Sequence, residues 1–220
     1  MNPYLKNLNK IEFVVTYACT GRCKHCSEGD HSSCGESIDP ILAAEAVKRI
    51  AAAYPIQTVM TFGGEPLLYP DAVYTIMEAA KERNVPKRQV ITNGYFSRDV
   101  VKQFAAEALR CGIPMRLSPA WLVRVTDDNS YNLETRKILS AFTDMGIPVG
   151  DGNVIFPEGN ALKYLAEYFT DVFPENPYVE DPRDVRCLSF SPNGDVLGGN
   201  VYERDIMEIL NDYALGKETP

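Results

Sequence analysis

Three cysteines, Cys19, Cys23 and Cys26, lie within eight residues of chain in the stretch ACTGRCKHC. Thiolates at this spacing can converge from a single loop on one metal centre. Iron–sulfur clusters and tetrahedral zinc ordinarily take four protein ligands, so three thiolates leave one position open. An open coordination position distinguishes a reactive metal site from a structural one. Gly21 lets the loop turn tightly. Zinc is the competing occupant, because His25, His31 or Cys34 could supply a fourth ligand. The loop alone leaves both occupants open.

A second group stands in TFGGEPLLYP, where Gly63, Gly64 and Glu65 follow an apolar run. Paired glycines at a strand end permit close backbone approach to a ligand. Glu65 offers a carboxylate suited to an ammonium group. Alone, the tripeptide reads equally well as an ordinary strand-to-helix turn. Asn93 in ITNG and Ser118 before Pro119 are further candidates, and each also reads as a simple turn residue. Trp121, the only tryptophan, and Cys111, near an expected helix end, read as core residues.

These residues need a frame. Apolar runs EFVVT (12–16), IQTVMTF (56–62), RQVIT (88–92) and IPMRL (113–117) read as strands. Between them lie helical patterns. SIDPILAAEAVKRIAAAY has Asp39 as N-cap and Pro40 at the first helical position. PDAVYTIMEAAKER places Val73, Ile76, Met77 and Ala80 on one face. Helices are expected near 98–110, in YNLETRKILSAFTDMG and in GNALKYLAEYF, with a broken strand over 147–156. Such alternation predicts a parallel sheet covered by helices. Ligands of these sheets bind at the carboxyl ends of the strands. The cysteine loop, Gly63-Gly64-Glu65, Asn93 and Ser118 all fall at that end.

The 220 residues suffice for one sizeable α/β domain. A formal charge of −8 argues against a broad nucleic-acid-binding face. No apolar run reaches membrane-spanning length, and the N-terminus has no signal-peptide pattern. The expected location is the cytoplasm, where thiols stay reduced and clustered cysteines mark a metal site.

Cys19-Thr20-Gly21-Arg22-Cys23-Lys24-His25-Cys26, after a first strand, resembles the signature loop of the radical SAM superfamily. The resemblance implies a [4Fe–4S] cluster on Cys19, Cys23 and Cys26. The open iron would be chelated by the amino and carboxylate groups of S-adenosylmethionine. One electron from the reduced cluster then yields a 5′-deoxyadenosyl radical that abstracts hydrogen from a substrate. It further implies that Gly63, Gly64 and Glu65 hold the methionyl amino group, with Asn93 and Ser118 completing the site. A flavodoxin or ferredoxin donor is implied as well.

CLSFSPNGDVLGGNVYERDIMEIL resembles the SPASM/twitch tail of peptide-modifying members of that superfamily. There, cysteines hold auxiliary clusters. Here Cys187 keeps one such position, while Gly198-Gly199 replaces the second cysteine. The tail is therefore expected to cap the barrel without metal. Asn193-Gly194 suits a primed hairpin turn, and ERDIMEILNDY a closing helix.

The expected fold is a partial (βα) barrel with a short C-terminal hairpin and helix. Residues 1–170 form the core and 171–220 the tail. The usual Ser-x-Asp after the fourth strand is missing, and the spacing near Cys111 suggests one βα unit fewer than is usual. The expected function is a radical S-adenosylmethionine enzyme whose substrate the sequence does not identify, a peptide or protein being one candidate. Two alternatives stand beside it: a glycyl-radical activase or small-molecule enzyme, and a non-catalytic metal-binding protein.

Overall fold

The computed structural model describes residues 2–21, 26, 35–92, 106, 115–117, 158–166 and 181–215. Strand β1 (Lys10–Val14) is the organising element, with a parallel neighbour on each edge. On one side lies β2 (Thr58–Phe62), then β3 (Lys87–Val90) and β4 (Met115–Leu117). On the other lies β5 (Cys187–Phe190), so the sheet order is β4-β3-β2-β1-β5, all parallel. In register, Ile11 stands beside Val59 and Leu188, and Phe13 beside Thr61 and Phe190. The Phe13 and Phe190 rings stack with centroids 4.7 Å apart.

Helix α1 (Pro40–Ala53) starts where the Asp39 carboxylate accepts from the Ile41 and Leu42 N–H groups at 2.8 and 2.9 Å. Proline at the first position has no N–H to leave orphaned. Ala43, Ala46, Val47 and Ile50 recur at helical spacing and are all buried. The helix stops at Tyr54, extended before Pro55. Helix α2 (Pro70–Glu82) buries Val73, Ile76, Met77 and Ala80, the face expected from the sequence. Together these helices cover the sheet face carrying Ile11, Phe13, Val59, Leu188 and Phe190, and the shared cluster is the hydrophobic core. Helix α3 (Gly159–Leu165) falls within the expected GNALKYLAEYF segment.

The C-terminal stretch docks onto the start of the chain. The Val185 N–H donates to Tyr4 O at 2.8 Å, leading into β5. After β5 come the short pair β6 (Asp195–Val196) and β7 (Gly199–Asn200), then helix α4 (Ile206–Asp212). Asn2 binds this helix end through its amide, which donates to Leu210 O and Tyr213 O at 2.9 and 2.8 Å.

One turn differs from expectation. Asn193-Gly194 is not a two-residue primed turn. The Gly194 N–H donates to Ser191 O, and the Ser191 N–H to Asp195 O, both at 3.0 Å, with Gly194 at φ 85°. That is a longer connection closed by one left-handed glycine. The two-residue turn with both φ values positive lies at Leu197 (49°) and Gly198 (77°), between β6 and β7. A turn does lie at Asn193-Gly194, but the Ser191–Asp195 hydrogen bond closes it around three residues rather than two. Expectations for 98–110, for YNLETRKILSAFTDMG, for 147–156 and for the gap near Cys111 lie outside the described residues, Ala106 aside, which is helical.

Candidate metal and cosubstrate site

β1 and β2 run past their last ladder pair and bring two loops together. The Val15 N–H donates to Phe62 O, the Gly64 N–H to Thr16 O and the Glu65 N–H to Ala18 O, each at 2.8 Å. The chain entering the cysteine loop is thus laced to the Gly63-Gly64-Glu65 turn, residue against residue. The far end of the loop returns to the same place. Thr16 bridges Ser37, the Ile38 N–H donates to Val15 O at 2.9 Å, and Thr16 Oγ1 donates to Glu36 O at 2.8 Å. The Tyr69 hydroxyl also donates to Gly35 O. The loop therefore has a closed neck.

This crossing explains both glycines. Gly63 has φ 135°, and a Cβ there would stand 2.5 Å from Thr16 O. A Cβ on Gly64 would overlap the Ala18 carbonyl oxygen and lie 2.6 Å from its carbon and 2.7 Å from Tyr17 O. Real side chains do not tolerate such contacts with backbone. The close approach that the glycines permit is, in the first place, that of the cysteine-loop backbone.

Cys19 is buried, and its Sγ accepts from the Gly21 N–H at 3.3 Å. Hydrogen bonds to sulfur stabilise a cluster thiolate and help set its potential. The half-buried Cys26 is held from the other side of the sequence, because the Ala161 N–H of α3 donates to Cys26 O at 3.1 Å. Cys23, Asn93 and Ser118 lie outside the described residues.

Glu65 is fully buried. Its Oε1 accepts from the Leu67 N–H at 2.9 Å, capping the short turn Pro66–Leu68, and from Thr92 Oγ1 at 2.7 Å. Burial of a carboxylate is tolerated when donors and opposite charge surround it. Thr92, at 3% exposure, was missed in the sequence, as was Thr16, whose Oγ1 also accepts from the Ala18 N–H at 3.1 Å. The available signal was a threonine closing each apolar run, where a buried hydroxyl needs a partner.

Cys187 belongs to the opposite end of the sheet, at the first residue of β5 and in register with Lys10. Burial, reinforced by the Glu12 carboxylate, pushes its thiol up to about 12. Among the described residues no group of three or more His, Cys, Asp or Glu gathers around a metal position. No helix described is long and apolar enough to cross a membrane.

The class is that of α/β proteins with a parallel sheet, here with a cysteine loop beyond β1 and a glycine-glycine-glutamate turn beyond β2. The Radical SAM superfamily profile matches residues 13–162, more than half of the chain, and the chain belongs to that superfamily. It is 26% identical over 112 residues to a GTP 3',8-cyclase of Clostridium perfringens (strain SM101 / Type A), covering 50% of this chain and 34% of that one. The chain thus spans about a third of the length of that curated relative. Among solved structures, BtrN in complex with AdoMet and 2-DOIA superposes with a TM-score of 0.57 at 18% identity, covering 93% of this chain and 82% of that one. SuiB of Streptococcus suis bound to S-adenosylmethionine gives 0.53 at 14% identity, covering 96% and 67%. These two likenesses are likenesses of fold. The superfamily uses a [4Fe–4S] cluster and S-adenosylmethionine. The donor set fits that group: a buried cysteine thiol with an N–H on its sulfur, a second cysteine in the same loop, and a buried carboxylate on the adjoining turn.

Proposed function

We propose that the protein is a radical S-adenosylmethionine enzyme in which Cys19, Cys23 and Cys26 hold the cluster. The observation that carries this reading is the lacing of the cysteine-loop neck to Gly63, Gly64 and Glu65 by the Thr16–Gly64 and Ala18–Glu65 hydrogen bonds. It fixes a thiolate source and a buried carboxylate in one rigid unit, which is what two-point capture of an amino acid moiety beside a metal requires.

When bound, the group supplies reductive sulfonium cleavage and hydrogen-atom abstraction. The chain's own tasks are positional. Gly21 supports the Cys19 sulfur. Gly63 and Gly64 let the two loops approach. Glu65 receives the methionyl ammonium, and Asn93 and Ser118 line the remainder of the site. A flavodoxin or ferredoxin delivers the electron.

Residues 1–170 act as the barrel core, and 171–220 as a degenerate SPASM/twitch-like tail without metal. The resemblance of that tail to the tails of peptide-modifying members supports a peptide or protein as the substrate class. Anaerobic reconstitution tests the reading. Wild type should bind about four iron and four sulfide per chain. Alanine at Cys19, Cys23 or Cys26 should abolish this, and alanine at Cys187 should not. Glu65→Ala should keep its iron and bind S-adenosylmethionine about tenfold to a hundredfold more weakly. Zinc near one per chain would overturn the enzyme reading in favour of a metal-binding module.

A further inference from the structure

The geometry points to Thr92 as the positioning residue that aims the Glu65 carboxylate at the ammonium of S-adenosylmethionine. This rests on the reading of Glu65 given above. β3 does not end its pairing at Val90, because the Ile91 N–H donates to Thr61 O at 2.9 Å and carries the next residue to the carboxyl end of the sheet. There Thr92, 3% exposed, donates its hydroxyl to Glu65 Oε1 at 2.7 Å. That length is ordinary for an O–H···O hydrogen bond. The Leu67 N–H reaches the same oxygen at 2.9 Å.

Two donors on Oε1 from different elements fix the plane of the carboxylate, and so the direction of Oε2. The Leu67 donor belongs to Glu65's own turn and moves with it. Thr92 belongs to the next strand and ties the carboxylate to the sheet. A β-branched side chain suits this role, since its χ1 has few alternatives. Glu65 thereby becomes the point where the ends of three strands meet: β1 through the Ala18 carbonyl, β2 through its own chain and β3 through Thr92.

The test is a set of calorimetric titrations of anaerobically reconstituted full-length protein with S-adenosylmethionine, with iron per chain measured in parallel. Thr92→Val keeps the shape and removes the donor. It should retain wild-type iron and bind about tenfold more weakly. Thr92→Ser should restore affinity to within about twofold of wild type, because it restores the hydroxyl. In a Glu65→Ala background, Thr92→Val should cause no further loss. If Thr92→Val fails to load iron, Thr92→Ala takes its place in the same comparison.

Equal losses in both backgrounds would overturn the inference, since Thr92 would then act independently of Glu65. So would wild-type affinity in Thr92→Val when Glu65→Ala is weakened, leaving the role of Glu65 intact. Unchanged affinity in Glu65→Ala would instead overturn the ammonium reading, and this inference with it.

Discussion

Gly64→Ala is the sharpest perturbation of the site's architecture. Its backbone is not left-handed, so the effect is purely steric. The added Cβ meets the Ala18 carbonyl group and the Tyr17 oxygen, all main chain, and no side-chain rotation can relieve it. The neck of the cysteine loop must move away from the turn. That strains or breaks the Gly64–Thr16 and Glu65–Ala18 hydrogen bonds, both 2.8 Å. Two backbone bonds contribute about 0.5–1.5 kcal/mol each, and forced overpacking adds about 1–3 kcal/mol. The expected loss is about 2–6 kcal/mol, a large part of a typical folding free energy of about 5–15 kcal/mol. Gly198→Ala is the control. Nothing lies within 4 Å of its Cβ, but φ is 77°, so only the left-handed backbone is strained, at about 1–2 kcal/mol. The assay is urea unfolding of anaerobically purified protein, followed by circular dichroism, with iron per chain measured alongside. Gly64→Ala should unfold much earlier than Gly198→Ala and lose most of its iron. Gly64→Ala with full iron and a stability within about 1 kcal/mol of wild type would refute the argument that the glycines exist to admit the loop neck.

Two further outcomes follow from groups away from that turn. Cys187, its thiol pushed up to about 12 against an ordinary 9.0, should alkylate at pH 8 about a thousandfold more slowly in the folded protein than in urea, read by mass spectrometry of the tryptic peptide. The folded state holds its proton more tightly than the unfolded state. Its contribution to stability is therefore full below pH 9 and is lost as pH rises from about 9 to about 12. The Ala161 amide donates to Cys26 O, so chelating the iron should speed its hydrogen exchange about fivefold to tenfold while the Val47 amide in α1 stays unchanged. Equal protection with and without iron would mean that α3 holds the loop regardless of metal.

Much of this was readable in the chain. Strands β1 to β4 and helices α1 and α2 announce themselves through apolar runs and helical spacing, and Asp39-Pro40 marks a helix start. Glycine pairs after a strand pointed to a close approach, and the structure shows one that the sequence did not name, by the main chain of residues 16–18. Spacing cannot show that the main chain of residues 16–18 crosses Gly64, because that contact depends on how two loops fold over each other. The bond from Thr92 to Glu65 was hidden for the same reason, since it joins the ends of two adjacent strands. The placement of β5 against β1 was illegible because its pairing partner lies far away in sequence, and a strand pattern carries no address.

The position of β1 between β2 and β5 has a consequence for biosynthesis. β1 leaves the ribosome long before β5, and β2 covers one of its edges soon afterwards. The other edge waits for residues 187–190. Counted from Val14 to Cys187, at about 5–20 residues per second, that wait lasts roughly 9–35 s. During it, an unpaired edge and the face of Phe13 that will stack on Phe190 are open to any neighbouring nascent chain. The cysteine loop, already synthesised, also lacks its anchor at Ala161 for most of that time. Metal loading of a fully tethered loop thus belongs after translation has passed α3. Slow elongation between β2 and β5 favours aggregation of polysomes carrying this chain.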